Sequence, residues 1–176
     1  MVDDGIKSDT PQKGSGFYRP CVGAVLFNPR GLVWVGKRIS EPSSDFEYAW
    51  QMPQGGIDDG EDPRDAVIRE LLEETGSDNS EILRESQSWL SYDLPHPLQR
   101  KSAKRKLRGQ TQKWFALRFT GNDSEFNLNL HEKPEFSTWK WVALTEVPEL
   151  IVPFKRDVYK KVVEEFKDLP ERISSE

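Results

Sequence analysis

The sequence between residues 55 and 76, GGIDDGEDPRDAVIRELLEETG, places a glycine-rich turn directly before a short helix with two unlike faces. An α-helix advances roughly 100° per residue, so Glu70, Glu73 and Glu74 project from one side of it. The opposite side is apolar and can pack on a core; it carries Val67, Ile68, Leu71 and Leu72. The segment therefore predicts a helix that lies between a hydrophobic core and a cleft or solvent.

Both ends of this helix are marked in the sequence. Asp62 is a good N-cap residue, and Pro63 suits the first helical turn, where its missing N–H removes no hydrogen bond. Gly76 is suited to the left-handed conformation that commonly ends a helix. These signals predict a helix over residues 63–75.

The three glutamates on one face repel one another, which costs roughly a few tenths of a kcal/mol per pair. A solvated acidic surface is the usual explanation of such a charge run. A bound cation would remove the repulsion, and hard cations such as Mg2+ commonly bridge carboxylates to substrate phosphates. The residues alone leave two interpretations open: an exposed acidic face, or a Mg2+ site for a phosphorylated substrate, with Mn2+ as a substitute metal.

The spacing around the helix resembles the Nudix box. Five residues separate Gly55 from Glu61, and Arg-Glu-Leu-Leu-Glu-Glu-Thr-Gly follows at 69–76, so every position of the family pattern except the last is met. Ser77 stands where the family has a bulky apolar residue. We therefore expect looser packing at the end of this helix.

Length and composition fit one compact catalytic domain. The 176 residues are near the usual size of a single domain and can bury a substantial core. Hydrophobic residues make up 35% and charged residues 31%, and six Trp and nine Phe are available for the core. We expect residues 1–16, rich in Asp, Lys, Gly and Ser, to form a flexible tail, and residues 17–170 to form the domain.

Hydrophobic runs elsewhere in the chain predict a mixed α/β fold. Residues 154–167 predict a second helix, because Val158, Val162 and Phe166 recur at intervals of four. Strands mixed with helices favour a mixed β-sheet sandwiched between α-helices, and the Nudix resemblance implies the same fold. The predicted strands are CVGAVLF, LVWVGKR, SWLSYDL, QKWFALRF and FSTWKWV.

Cys21 is the single cysteine, which excludes an internal disulfide and a cysteine-based zinc site. We expect it to be buried in a strand. No apolar run approaches the length that crosses a bilayer, and the N-terminus lacks the basic and apolar blocks of a signal peptide. We therefore expect a cytoplasmic protein with no membrane partner, and the sequence indicates no particular protein partner.

Five further segments resemble one branch of the Nudix family, the bacterial RNA pyrophosphohydrolases and the related asymmetric diadenosine tetraphosphate hydrolases. The segments are YRPCVG, WQMPQGG, GQTQKWF, KPEF and PFKRDVY. The resemblance implies metal-dependent hydrolysis of a phosphoanhydride: removal of pyrophosphate from 5′-triphosphorylated RNA, which initiates mRNA decay, or cleavage of a dinucleoside polyphosphate. An inactive RNA- or nucleotide-binding module is an alternative of another class, and the complete set of glutamates argues against it.

The same resemblance implies a metal site and a catalytic set. One of its glutamates, or a water that they orient, would act as general base. Arg69 belongs to the catalytic set, and we expect it to orient the carboxylates by ion pairing with Glu61. The implied metal ligands are the main-chain carbonyl of Gly55 and the carboxylates of Glu70, Glu73, Glu74 and Glu135.

Four residues are candidates for substrate contacts on the same grounds: Arg19, Arg38, Phe154 and Lys155. The two arginines match positions where the branch has basic groups near the phosphates, and a planar guanidinium suits phosphate binding. Each is equally consistent with a solvated surface residue. Phe154 matches an aromatic residue that stacks on the first base, an interaction of roughly 1–3 kcal/mol; the alternative places it in the core at a helix start.

The stretch RKSAKRKLR at 100–108 has six basic residues in nine, in a chain whose formal net charge is -5. A basic loop beside an acidic metal site would attract the backbone of a polyanion, with a steep dependence on salt. Charge runs are also often solvated loops. The run therefore indicates either a nucleic-acid contact or an exposed connection between two strands.

Overall fold

The computed structural model describes residues 18–39, 50–95 and 107–176 of the protein. Within these residues the chain forms one eight-stranded mixed sheet. Its strands are β1 (Tyr18–Phe27), β2 (Val33–Arg38), β3 (Trp50–Gln51), β4 (Gln54–Gly56), β5 (Ser80–Glu85), β6 (Leu90–Asp93), β7 (Gly109–Phe119) and β8 (Phe136–Val142). The predicted tail at 1–16 and most of the basic run lie outside the described residues, so the division of the chain into tail and domain stays a prediction.

Strand β1 runs through the middle of the sheet. It pairs in parallel with β7 from Tyr18 opposite Gly109 to Phe27 opposite Arg118, and it pairs antiparallel with β2 and β4. Strands β5 and β6 lie along β7, while β3 and β8 lie along β2, all antiparallel. Because both faces of a parallel strand pair are usually covered, the near-continuous apolar sequence of β1 is the expected one.

The helices lie on opposite faces of this sheet. They are α1 (Pro63–Thr75), α2 (Val147–Leu150), α3 (Arg156–Phe166) and α4 (Leu169–Ser174). Alternate residues of β1 belong to two separate cores, since Leu26 packs with α1 whereas Phe27 packs with α3 and α4. The predicted mixed sheet between helices is confirmed.

Helix α1 begins and ends at the predicted residues. The Asp62 carboxylate accepts a hydrogen bond from the Arg64 N–H at 2.8 Å, which caps the first turn. Gly76 has a φ of 84°, and its N–H donates to the Leu72 carbonyl at 2.9 Å. Local capping signals therefore fix the position of the helix that bears the glutamates.

The chain just after α1 is packed more tightly than the sequence predicts. Ser77 is buried; its hydroxyl donates to Glu125 Oε2 at 3.0 Å, and its N–H donates to Thr75 Oγ1 at 3.2 Å. The expected looseness was wrong, because hydrogen bonds hold the segment where the family uses an apolar contact.

The sequence analysis did not predict three of the strands, β3, β4 and β5. The first two contain only two and three residues, and β5 reads SEILRE, which does not alternate clearly between apolar and polar.

The predicted helix at 154–167 is α3, which begins two residues later because Pro153–Lys155 forms a 3-10 turn. Cys21 is buried in β1 as predicted, and no helix among the described residues is long and apolar enough to cross a membrane.

Candidate active site

Strand β4 lies against the acidic face of α1. The main-chain N–H of Gln54 donates to Glu74 Oε2 at 3.0 Å. The next residue, Gly55, is so close to Glu70 that a β carbon added to it would lie 2.0 Å from the carboxyl carbon. Glu70 and Glu74, two of the predicted metal ligands, are therefore held against β4, the strand that contains another predicted ligand, Gly55.

Arg69 is the centre of an ion-pair network at this junction. Its Nε and Nη2 donate to the two carboxylate oxygens of Glu61 at 2.7 and 2.8 Å. Its Nη1 donates to Glu70 Oε1 at 2.9 Å and to Glu73 Oε1 at 3.3 Å, and Nη2 also donates to the Gly56 carbonyl at 2.9 Å. The predicted pairing of Arg69 with Glu61 is present, and the arginine links β4, the following loop and α1.

The carboxylates around this junction differ in how readily they hold a proton. The hydrogen bond from Arg69 lowers the pKa of Glu61. Burial raises the pKa of Glu70, although Arg69 opposes the change. Burial also raises the pKa of Glu74 well above its ordinary value, and the nearby charges of Glu135 and Glu70 raise it further. Negative charge at Glu74 is thus unfavourable without a cation.

Arg19 and Arg38 lie near the acidic residues of this junction, on the neighbouring strands β1 and β2. A β carbon at Gly56 would lie 2.2 Å from Arg19 Nη2, so this guanidinium lies directly on β4. Arg38 Nη2 lies 3.6 Å from Glu135 Oε1, and both side chains are about half exposed. Both arginines therefore border the carboxylates and remain accessible to a ligand.

Lys155 is buried next to two aromatic rings. Its side chain is 6% exposed, and Nζ lies 5.5 Å from the centre of the Tyr92 ring and 5.9 Å from that of Phe154. Burial and the charge of Arg38 lower the pKa of Lys155 to about 8, although Cys21, Glu135 and Glu74 oppose the change. The Lys155 ammonium group therefore lies inside the protein, close enough to Glu74 and Glu135 to interact with their charges.

Phe154 is partly buried in the turn before α3. Its ring centre lies 5.8 Å from that of Tyr92, and it packs on the core formed with α3 and α4. The core contact that the sequence left as an alternative is therefore present. Base stacking by the remaining exposed part stays a prediction.

The comparison with protein families decides what kind of site this is. A model of the NUDIX domain matches residues 17–162. The chain belongs to the Nudix family. The box that characterises it, Gly55 to Gly76, is the junction of β4 and α1 just described.

Individual Nudix proteins are similar to this chain in sequence or in fold. RNA pyrophosphohydrolase from Brucella anthropi is 51% identical over 158 residues, which is 86% of this chain and 91% of the relative. The Brucella abortus protein of the same name is 51% identical over 86% of this chain and 89% of the relative. A MutT protein from Methanosarcina mazei shares the fold with a TM-score of 0.61 at 21% identity, covering 88% of this chain and 99% of its own.

A C. elegans Ap4A hydrolase also shares the fold, with a TM-score of 0.55 at 17% identity, covering 85% of this chain and 99% of its own. At such identities the likeness concerns the fold alone. The predicted Nudix fold is therefore confirmed by structures of distant sequence.

Nudix hydrolases work with divalent metal ions, and the donor set here fits such an ion. No group of three or more His, Cys, Asp or Glu side chains in residues 18–39, 50–95 and 107–176 already has the arrangement of a metal cage. Arg69 and the Gln54 N–H instead hold oxygens of Glu70 and Glu74. The mutual repulsion of Glu70, Glu74 and Glu135 is what a hard cation with carboxylate ligands would neutralise.

The structure brings the box residues together with Arg19, Arg38, Glu135 and Lys155, but only the end of the basic run can be placed. Arg108 Nε donates to Asp93 Oδ2 at 2.9 Å, and the Tyr18 hydroxyl donates to Asp93 Oδ1 at 2.6 Å. This contact lies where β1 and β7 begin and β6 ends. The other basic residues of the run lie outside the described residues.

Sequence reasoning missed three polar residues at the Nudix site: Gln54, Tyr92 and Gln112. Gln54 and Gln112 lie in segments noted for their resemblance to relatives, and Tyr92 lies in the predicted strand SWLSYDL, but no role was predicted for any of the three. Gln110 and Gln112 alternate along β7, a pattern that places both on one face of the sheet. That alternation is the one signal in the sequence that could have indicated a polar cluster.

Proposed function

We propose that this Nudix protein removes pyrophosphate from the 5′ end of triphosphorylated RNA and so initiates mRNA decay. The observation that carries the proposal is the pair of carboxylates, Glu70 and Glu74, held against β4 with raised pKa values. The identity of 51% to RNA pyrophosphohydrolases of Brucella supports the choice of substrate.

The metal that we propose is Mg2+, with Mn2+ as a substitute. When bound, it would polarise phosphoryl oxygens and lower the pKa of a water molecule. Repulsion among the carboxylates makes the metal-free arrangement unfavourable and so supports this assignment. The proposed ligands are the Gly55 carbonyl and the side chains of Glu70, Glu73, Glu74 and Glu135.

Hydrolysis joins the oxygen of water to a phosphorus atom and breaks the bond from that atom to the bridging oxygen. Pyrophosphate leaves, and one proton of the water must be accepted by the protein. We assign this task to the glutamates of α1, or to a water that they orient. Burial raises the pKa of Glu74 well above the ordinary carboxylate value, which makes it a stronger base than an exposed glutamate. Arg69 would hold Glu70 and Glu73 in place by the hydrogen bonds described above.

The cations at the edge of the site suit the triphosphate. Arg19 and Arg38 offer planar guanidinium groups next to the carboxylates, and Lys155 offers a buried ammonium group. Phe154, adjacent to Lys155 and partly exposed, would stack on the first base. These four residues are the substrate contacts that we propose.

The substrate assignment is tested by comparing kcat/KM for 5′-triphosphorylated RNA and for diadenosine tetraphosphate at equal Mg2+. We expect the RNA to be preferred. A preference of about tenfold for the dinucleotide, about 1.4 kcal/mol of transition-state discrimination, would assign the site to dinucleoside polyphosphates instead. RNA binding without phosphate release at saturating Mg2+ or Mn2+ would identify an inactive binding module.

Removing the charge of the basic run should weaken RNA binding. We expect replacement of Arg100, Lys101, Lys104, Arg105 and Lys106 by Gln to raise KM for RNA and to flatten its dependence on salt, because fewer counterions are released. The control replaces Lys160 and Lys161, which are exposed on α3. A salt dependence equal to that of the parent would identify the run as solvated surface.

We also propose that the enzyme works in the cytoplasm. Cys21 is a free thiol in the core, and burial raises its pKa to about 11, which keeps it protonated and unreactive. A chain with one buried thiol and no disulfide fits a reducing compartment.

A further inference from the structure

A chain of side-chain hydrogen bonds runs from the core to the candidate active site. Trp114 Nε1 donates to Gln112 Oε1 at 3.1 Å, and Gln112 Nε2 donates to Gln54 Oε1 at 3.1 Å. Trp114 is fully buried and Gln112 is 1% exposed. Strand β1 lies between β7 and β4, so the connection spans three strands of the sheet.

The direction of these hydrogen bonds is fixed by chemistry. An indole N–H can only donate, so the oxygen of Gln112 must face Trp114. The amide nitrogen of Gln112 must then face the oxygens of Gln54 and Gln110, which accept at 3.1 and 3.2 Å. Gln54 also makes a side-chain hydrogen bond with Tyr92; burial raises the pKa of this phenol, and the hydrogen bond from Gln54 opposes the change.

Gln54 lies between the carboxylates of α1 and the group formed by Tyr92, Phe154 and Lys155. Its main-chain N–H donates to Glu74 Oε2, and the residue after it contacts the Glu70 carboxylate. Its side chain meets Tyr92, whose ring lies beside Phe154 and Lys155. A shift of Gln54 would therefore move carboxylates on one side and the proposed substrate contacts on the other.

We propose that Gln112 is a positioning residue for the hydrolysis. Through Gln54 it holds β4 against the carboxylates of α1 and holds Tyr92 beneath Phe154 and Lys155. Trp114 fixes the orientation of the Gln112 amide and makes it a rigid support. This role rests on the proposed function, because it describes how the same site is kept in its working geometry.

The first test is a double-mutant cycle of Gln112→Met and Gln54→Met, which remove each amide at nearly constant length. We expect each variant to lower kcat/KM about tenfold on whichever substrate the parent hydrolyses. The kcat/KM of the double variant should lie within about twofold of that of the less active single variant, because both substitutions remove the same connection. Losses that multiply to about a hundredfold, or parent activity in a folded Gln112→Met protein, would overturn the proposal.

Thr111→Val is the matched control for the Gln112 variants. Thr111 is buried on the same strand, one position away, and its Oγ1 accepts a hydrogen bond from Ser91 rather than from the Gln112 chain. We expect this isosteric change to leave kcat/KM within about twofold of the parent. Thermal denaturation establishes folding for each variant, and Gln112→Asn replaces Gln112→Met if the latter does not fold.

A second readout needs neither substrate nor metal. In 15N-labelled protein, Gln112→Met should shift the indole N–H resonance of Trp114 and the side-chain amide resonances of Gln54 and speed their exchange with solvent. Unmoved Gln54 resonances would overturn the proposal even if activity fell. If the parent hydrolyses neither RNA nor dinucleotide, the proposed function fails, and these resonances still decide whether Gln112 holds Gln54.

Discussion

Replacing Glu74 by Gln is expected to lower kcat for hydrolysis at least about a hundredfold while the domain stays folded. The amide keeps the shape of the side chain and can still accept the hydrogen bond from the Gln54 N–H. It loses the negative charge required to bind a metal ion and the basicity required to accept a proton. Steady-state rates at saturating Mg2+ measure the effect; parent activity in this variant would remove Glu74 from the site.

The metal-free Glu74→Gln protein should also respond differently to pH. Burial raises the folded-state pKa of Glu74 above its ordinary value of 4.5. The stability contributed by such a group is present below the unfolded pKa and is lost as pH rises through the folded pKa. The parent should therefore lose stability relative to the variant as pH rises from acid toward neutral, as measured by thermal denaturation in a chelator. Glu149→Gln, at an exposed position on α2, provides a control for both measurements.

Helix α1 shows what local sequence determines. Its limits at 63–75 follow from a capping aspartate, a proline at the first turn and a left-handed glycine at the end. The spacing of the glutamates determines which face they share, and the ion pair of Arg69 with Glu61 joins residues only eight positions apart, across the first turns of α1. All these contacts join residues within about twenty positions of one another, so the order of residues largely determines them.

Strand β4 is an element that the local sequence does not predict. Three residues with two glycines have no strand propensity, and β4 exists because β1 offers it hydrogen-bond partners. The contact of Gln54 with Gln112 joins residues 58 positions apart, and Arg38 meets Glu135 only because β2 and β8 are paired. Such contacts depend on the tertiary arrangement of strands, which neither alternation nor spacing encodes.

Replacing Gly55 by Ala is expected to remove activity by about a hundredfold or more. A β carbon there would lie 2.0 Å from the carboxyl carbon of Glu70 and 2.1 Å from its Oε2, far inside van der Waals contact. Either the Glu70 carboxylate or strand β4 must move, and a displacement of about 1 Å in a catalytic group can cost roughly a hundredfold in rate. The change is measured as kcat/KM together with thermal denaturation.

Gly60→Asn distinguishes this close approach from a general intolerance of larger residues in the box. Gly60 has a φ of 76°, and a β carbon there would meet nothing within 4 Å, while Asn tolerates the left-handed conformation better than most residues. We expect this variant to keep kcat/KM within a few-fold of the parent. If Gly55→Ala were equally active, Glu70 would be free to move, and the tight contact between β4 and α1 would have no part in holding the carboxylates for catalysis.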